Sequence, residues 1–183
     1  MILSNPAKRA ILSVITPIPR DKWFEVAAIT FGTTTIAGMV ATATGFVNPA
    51  DDWHPTNNPV KPLSAFFFPS LVEEVFRRGA LLPHSILNVP TRSIIFSACT
   101  PVLAIQVISH PIAAKTLWPR GKGIFDDPRF LLLATIVLGA ATMSFIVSGG
   151  SAWAAAVTHG LPVALWRDFF NGEARLAGKS HHQ

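Results

Sequence analysis

The run from Phe130 to Ser148, FLLLATIVLGAATMSFIVS, contains no charged residue, no carboxamide and no histidine. Rising 1.5 Å per residue, a helix of that length matches the roughly 30 Å hydrocarbon layer of a bilayer. The composition agrees. Half of the 183 residues are hydrophobic and only 14% are charged, and the mean hydropathy is +0.42. All three values are shifted from soluble domains toward polytopic membrane proteins. The bilayer is the expected solvent, and the length suits one structural unit.

Four further apolar stretches accompany this run. FEVAAITFGTTTIAGMVATATGFV, residues 24–47, is long enough to span, and its Gly, Ala and Thr residues suit close helix contacts. The polar loop NPADDWHPTNNPVKP ends it by turn chemistry. A second span is expected over about 62–82. A third, SIIFSACTPVLAIQVISHP at 93–111, should kink at Pro101 and end on His110. In the connector to Phe130, Trp118 and Phe125 are placed as headgroup-level anchors. After the hinge Gly149–Gly150, SAWAAAVTHGLPVALWRDFF forms the last span.

The expected fold is therefore all-α, a polytopic transmembrane bundle of about five or six apolar helices. It divides into a basic N-terminal segment (1–22), a first span with its polar loop (23–61), a core (62–170) and a polar tail (171–183). The first span is expected to be retained, because the basic segment before it is too long for the leading region of a signal peptide. Both tails and the 112–129 connector are basic, so sidedness stays open. So does the choice among plasma, thylakoid and plastid membranes. No internal repeat or low-complexity tract is present.

The net charge is +5, but the basic residues lie between apolar spans and not in a stripe interleaved with stacking aromatics. That arrangement points to anionic lipid headgroups as partners and away from nucleic acid. Cys99 is the one cysteine, which rules out an internal disulfide and a cysteine-based zinc cluster.

Against this apolar background SLVEEVFRRGALLPH, residues 70–84, sets two glutamates and two arginines in the second span. An ionisable group at mid-membrane costs roughly 2.5 to 3.5 kcal/mol on insertion scales, so each needs a partner. On a helix Glu74 and Arg78 stand at i and i+4 and can pair, while Glu73 points about 100° away. Arg77, on a neighbouring face, is expected to snorkel or bind lipid. Two histidines on other spans, His110 and His159, are the candidate partners. A carboxylate with imidazoles in a low-dielectric cavity can hold and deprotonate water. A structural Glu74–Arg78 ion pair is the plainer alternative. His54 and His84 read as packing residues near span ends, Trp153 and Trp166 as packing or interface anchors, Met39 and Met143 as core, and the terminal HHQ as a solvated tail.

The order of these residues resembles the CPBP family, the membrane proteins grouped as CAAX proteases and bacteriocin-processing enzymes and also called the Abi or type II CAAX prenyl endopeptidase family. Its motif EExxxR is matched by Glu73, Glu74 and Arg78. FxxxH is matched at His110, with Gln106 at the aromatic position. A third motif, histidine followed four residues later by Asn or Asp, is matched at His159, with Val163 at the second position. The resemblance runs from about Pro62 to Phe170 and is nearest to the branch common in cyanobacteria and plastids, where the residue after the last histidine is often tryptophan. Here it is Gly160.

The resemblance implies cleavage of a peptide bond within the membrane. Glu73 would be the general base, aided by His110. Glu74 and Arg78 would organise the site, and His159 would steady the oxyanion. The implied substrate is a membrane-associated peptide, either a prenylated CAAX-type protein or a bacteriocin or leader peptide. Water activation without a cofactor fits this pattern, and the alternative is a divalent metal such as zinc held by Glu73, His110 and His159. Two other functions compete. One is a non-catalytic membrane scaffold of the same fold, motivated by Val163 and Gln106. The other is tetrapyrrole binding through the intramembrane glutamate–arginine pair and histidines.

Overall fold

The computed structural model describes residues 5–84 and 95–178, which form helices and turns with no strand among them. The long helices in chain order are α1 (Pro6–Ile15), α2 (Trp23–Ala43), α3 (Val60–Ala65), α4 (Thr100–Thr116), α5 (Pro128–Val147), α6 (Ala152–Phe169) and the short α7 (Gly172–Leu176). Local chemistry sets several of their starts. The Asn5 side chain accepts from Ala7 N at 2.9 Å and that of Asp127 from Arg129 N at 2.8 Å. Each cap is followed by a proline, whose missing N–H is harmless in the first turn.

Among the described residues three helical stretches are long and apolar enough to cross a membrane: Arg20–Ala43, Ser97–Thr116 and Pro128–Val147. These bear out the expected first, third and fourth spans as the frame of a multi-pass membrane protein. The third differs in detail, and residues 93 and 94 of its expected range lie outside the described residues. Pro101 does not kink its interior. It occupies the first turn of α4, directly after a wide π-helical turn, Ile95–Cys99. The helix then runs past His110 and through Pro111 to Thr116.

The other two expected spans depart further. Residues 60–79 do not form one helix, because Phe68 leaves the helical region (φ −139°, ψ 118°), as the ring of a following proline such as Pro69 favours. On either side lie π-helical turns, Phe66–Leu71 and Val75–Gly79, flanking a single α turn, Val72–Glu74. The five-residue spacing is explicit where Ala80 N donates to Val75 O at 2.9 Å. We call residues 69–79 the glutamate segment. α6 is a continuous helix, but His159, Arg167 and Asp168 leave it less apolar than the three spanning stretches.

The helices pack small side in and large side out. α2 buries Val26, Thr30, Thr33, Ala37 and Ala41 while exposing Phe24, Phe31, Ile36 and Met39. In lipid this is the expected arrangement, since small residues let backbones approach and apolar bulk faces the solvent. It also corrects the expectation for Met39 and Met143, which are 66% and 54% exposed and belong to the outer surface. Where α2, α5 and α6 meet, three hydroxyls close on one another. Thr158 Oγ1 lies 2.8 Å from Thr30 Oγ1 and 2.7 Å from Ser144 Oγ. It donates to Ala154 O at 3.1 Å, which leaves it to accept from the other two.

Two further contacts fix the ends of the elements. α5 turns into α6 through Gly149 and Gly150, at φ 74° and 101°, and a Cβ on Gly150 would stand 2.6 Å from the ring of buried His84. The bend and the close approach both require glycine there. His84 Nε2 also lies 3.1 Å from Thr16 Oγ1, in keeping with its reading as a packing residue. The basic N-terminal segment is structural as well. Buried Arg9 donates Nε to Ala80 O at 2.9 Å, closing the end of the glutamate segment. Ser13 lies against Gly79 with no room for a Cβ between them.

Replacing Thr158 by isosteric valine removes the hydroxyl that α2 and α5 share. The variant is expected to lose about 1–2 kcal/mol, read as a lower melting temperature in detergent, whereas Thr44→Val, at the exposed end of α2, should melt close to the parent.

Candidate active site

Glu73 and Glu74 share the Val72–Glu74 turn and diverge around it, so the two carboxylates meet different neighbours. Glu74 faces inward and is fully buried, as is Arg78. Both carboxylate oxygens are engaged. Oε2 accepts from Arg78 Nη1, and Oε1 accepts from His159 Nδ1 at 2.8 Å. The guanidinium is held from behind by α5, donating Nε to Thr142 Oγ1 at 3.0 Å and Nη2 to the Leu138 carbonyl. Thr142 passes its own proton to Leu138 O at 2.9 Å. A buried ion pair persists when such extra hydrogen bonds satisfy the remaining polar atoms.

Glu73 is half-buried and pairs with Arg77, Nη1 to Oε2 at 3.4 Å. Arg77 therefore turns back on Glu73, a correction to its reading as a lipid-facing residue. The segment thus repeats one arrangement twice: a sealed pair, Glu74 with Arg78, and a partly open pair, Glu73 with Arg77.

His110 lies on α4, which packs on the Val75–Gly79 turn that holds Arg77. Its orientation follows from Pro111. A proline cannot donate to the carbonyl four residues earlier; that carbonyl belongs to Val107, and His110 Nδ1 approaches it at 3.3 Å. A carbonyl only accepts, so Nδ1 carries the proton and Nε2 of the neutral ring is an acceptor. Phe125 and Phe130 flank the imidazole at 5.6 and 5.3 Å between ring centroids. Phe125 is therefore a packing partner of His110 and not the headgroup anchor expected, while Trp118 is 50% exposed. Both rings reach His110 from outside α4, and the position one turn before it is the buried amide of Gln106.

His159 is brought to Glu74 by a close helix approach. Gly160 sits against Ser70 and Phe66, where a Cβ would lie 3.3 Å from Ser70 Oγ and 3.4 Å from Phe66. Donation from Nδ1 to a carboxylate leaves Nε2 of the neutral ring as its second polar atom. Val163, one turn further along α6, is half-buried and offers no polar group.

The expected residues thus fall into a hydrogen-bonded cluster of Glu74, Arg78 and His159 and a neighbouring group of Glu73, Arg77 and His110. Among the described residues no three His, Cys, Asp or Glu side chains are grouped as a metal site requires, the trio Glu73, His110 and His159 included. Those residues do not fit a resident metal. Reading the sequence missed Thr142 and Leu138, which lie 64 and 60 residues from Arg78. Gly160 did carry a signal, since a glycine within a helix marks a close approach. Of the two tryptophans read as packing or interface anchors, Trp153 donates Nε1 to Val14 O at 2.8 Å, and Trp166 lies among Phe46 and Phe130. The terminal HHQ lies outside the described residues.

Compared with models of known protein families, with curated proteins and with solved structures, the chain finds no match.

Arg78→Met leaves the Glu74 charge buried beside an apolar side chain and is expected to destabilise the protein by about 3–5 kcal/mol. Combining it with Glu74→Gln should recover much of that loss. Additive effects of the two changes in thermal melts would contradict direct pairing.

Proposed function

We propose that this chain is an intramembrane endopeptidase in which Glu73 and His110 activate water. The supporting observation is the division between the two glutamates. Glu74 has both oxygens committed to Arg78 and His159 in a sealed environment. Glu73 is partly exposed and ion-paired with Arg77, and α4, packed on the same segment, carries His110, whose Nδ1 is committed to the Val107 carbonyl and whose Nε2 is then an acceptor. One carboxylate builds the site and the other has the access that chemistry needs.

In this reading water lies between Glu73 and His110 Nε2. Glu73 takes a proton from the water as its oxygen attacks the carbonyl carbon of a peptide bond, giving a tetrahedral intermediate. Negative charge then develops on the former carbonyl oxygen, and His159, when protonated at Nε2 while donating Nδ1–H to Glu74, stabilises it. Collapse breaks the carbon–nitrogen bond, and the proton held by Glu73 passes to the leaving amine. The products are a carboxylic acid and an amine, which exchange a proton to leave as carboxylate and ammonium, with no redox change. The substrate class follows from the apolar surround and the sequence resemblance: a peptide carried in the membrane, prenylated at a CAAX-type end or preceding a bacteriocin or leader cleavage site.

A non-catalytic scaffold is the second reading, favoured by Val163, which places an apolar side chain one turn beyond His159. The two separate in one assay. Detergent-purified protein is expected to cleave members of a pool of fluorogenic, partly lipidated peptides, with Glu73→Gln and His110→Ala each slowing cleavage by about 10²–10⁴-fold and exhaustive chelation leaving the rate unchanged. Absence of cleavage by every form, or equal cleavage by Glu73→Gln, would favour the scaffold.

A further inference from the structure

Gln106 lies on the buried side of α4, one helical turn before His110. It is 2% exposed, and neither its Nε2 nor its Oε1 has a hydrogen-bond partner among the described residues. A carboxamide taken out of water without compensation typically costs several kcal/mol, and buried polar groups are therefore almost always paired. The other buried side chains of α4 are Val102 and Ala114, which offer no polar atom. α4 packs on α5 and on the Val75–Gly79 turn. That turn holds Arg77, whose Nη1 is ion-paired with Glu73 Oε2 at 3.4 Å. The unpartnered amide of Gln106 thus belongs to the helix that carries His110, and that helix packs on the segment that carries Glu73.

The chemistry of the amide narrows what fits it. Nε2 donates and Oε1 accepts, the complement of the carbonyl and N–H that one residue of an extended chain presents on the same side. In an apolar setting one such pairing satisfies both backbone groups of that residue, which an extended substrate brings into the membrane unpaired. We infer that Gln106 is a specificity-determining residue that binds the backbone N–H and C=O of one extended substrate residue next to the bond that Glu73 and His110 attack. The inference rests on the peptidase reading and adds to it the contact that recognises main chain in preference to a particular side chain.

The test separates binding from turnover. A fluorescein-labelled peptide cleaved from the pool by the parent protein is titrated by anisotropy against Glu73→Gln and against Glu73→Gln combined with Gln106→Leu. The titration is repeated with a series of the same peptide in which single backbone amides are replaced by esters, which lack the N–H. Loss of one such contact is expected to weaken binding about tenfold. Gln106→Leu should show that loss with the all-amide peptide, and one ester position should abolish the difference. In the otherwise native protein Gln106→Leu should raise KM about tenfold with little change in kcat. Without peptide its melting temperature should hold or rise, because an unpartnered polar group has been removed.

Unchanged peptide affinity in the Gln106→Leu variant, or a tenfold loss that no ester position affects, would overturn the assignment while leaving cleavage by the parent, and hence the peptidase reading, intact. A lower melting temperature without peptide would likewise overturn it, showing that Gln106 already has a structural partner. If no peptide is bound or cleaved by any form, both fall together.

Discussion

A fully buried carboxylate governs this structure. Glu74 is tolerable in the interior only because Arg78 reaches it from one helical turn away and His159 donates to its second oxygen. Arg78 in turn is tolerable because α5 supplies Thr142 and the Leu138 carbonyl. Satisfying one charge therefore ties three elements together: the glutamate segment, α5 and α6. The rest of the fold serves the same arrangement. Gly160 lets α6 approach Ser70 and Phe66, the Thr158 hydroxyls fix α6 against α2 and α5, and α1 closes the far end of the segment through Arg9.

What keeps this cluster dry leaves its neighbour accessible. Glu73 is one residue away, yet the turn of the helix points it to a half-buried position beside Arg77. The π-helical turn Val75–Gly79 that follows Val72–Glu74 widens the local backbone, and such turns recur at functional sites because they re-aim side chains without ending a helix. Two adjacent residues of one type thus acquire different environments, which is the condition for their doing different work in the proposed chemistry.

Much of this was legible in the residues. Long apolar runs located three spanning helices, the i and i+4 spacing announced the Glu74–Arg78 pair, and two histidines on apolar runs were marked as candidate partners for the carboxylate that pair leaves over. The same spacing relates Glu73 to Arg77, but near a span end an arginine reads equally well as a lipid-facing residue. The break at Phe68 was hidden because a proline in an apolar run is tolerated in membrane helices when neighbours meet the freed groups. Met39 and Met143 were misplaced because apolar bulk signals core in water and surface in lipid. Arg9 with Ala80, and Arg78 with Thr142, are long-range pairings that no local pattern encodes.

The account depends on the two glutamates having separate tasks, one holding the fold and one meeting water. The most direct check is thermal denaturation of Glu73→Gln and Glu74→Gln side by side in one detergent. Glu74→Gln, which leaves Arg78 without its counter-charge in the interior, should melt well below the parent, and Glu73→Gln should melt close to it. Equal melting temperatures for the two variants, or the larger loss at Glu73, would contradict the division of labour on which the proposed site is built.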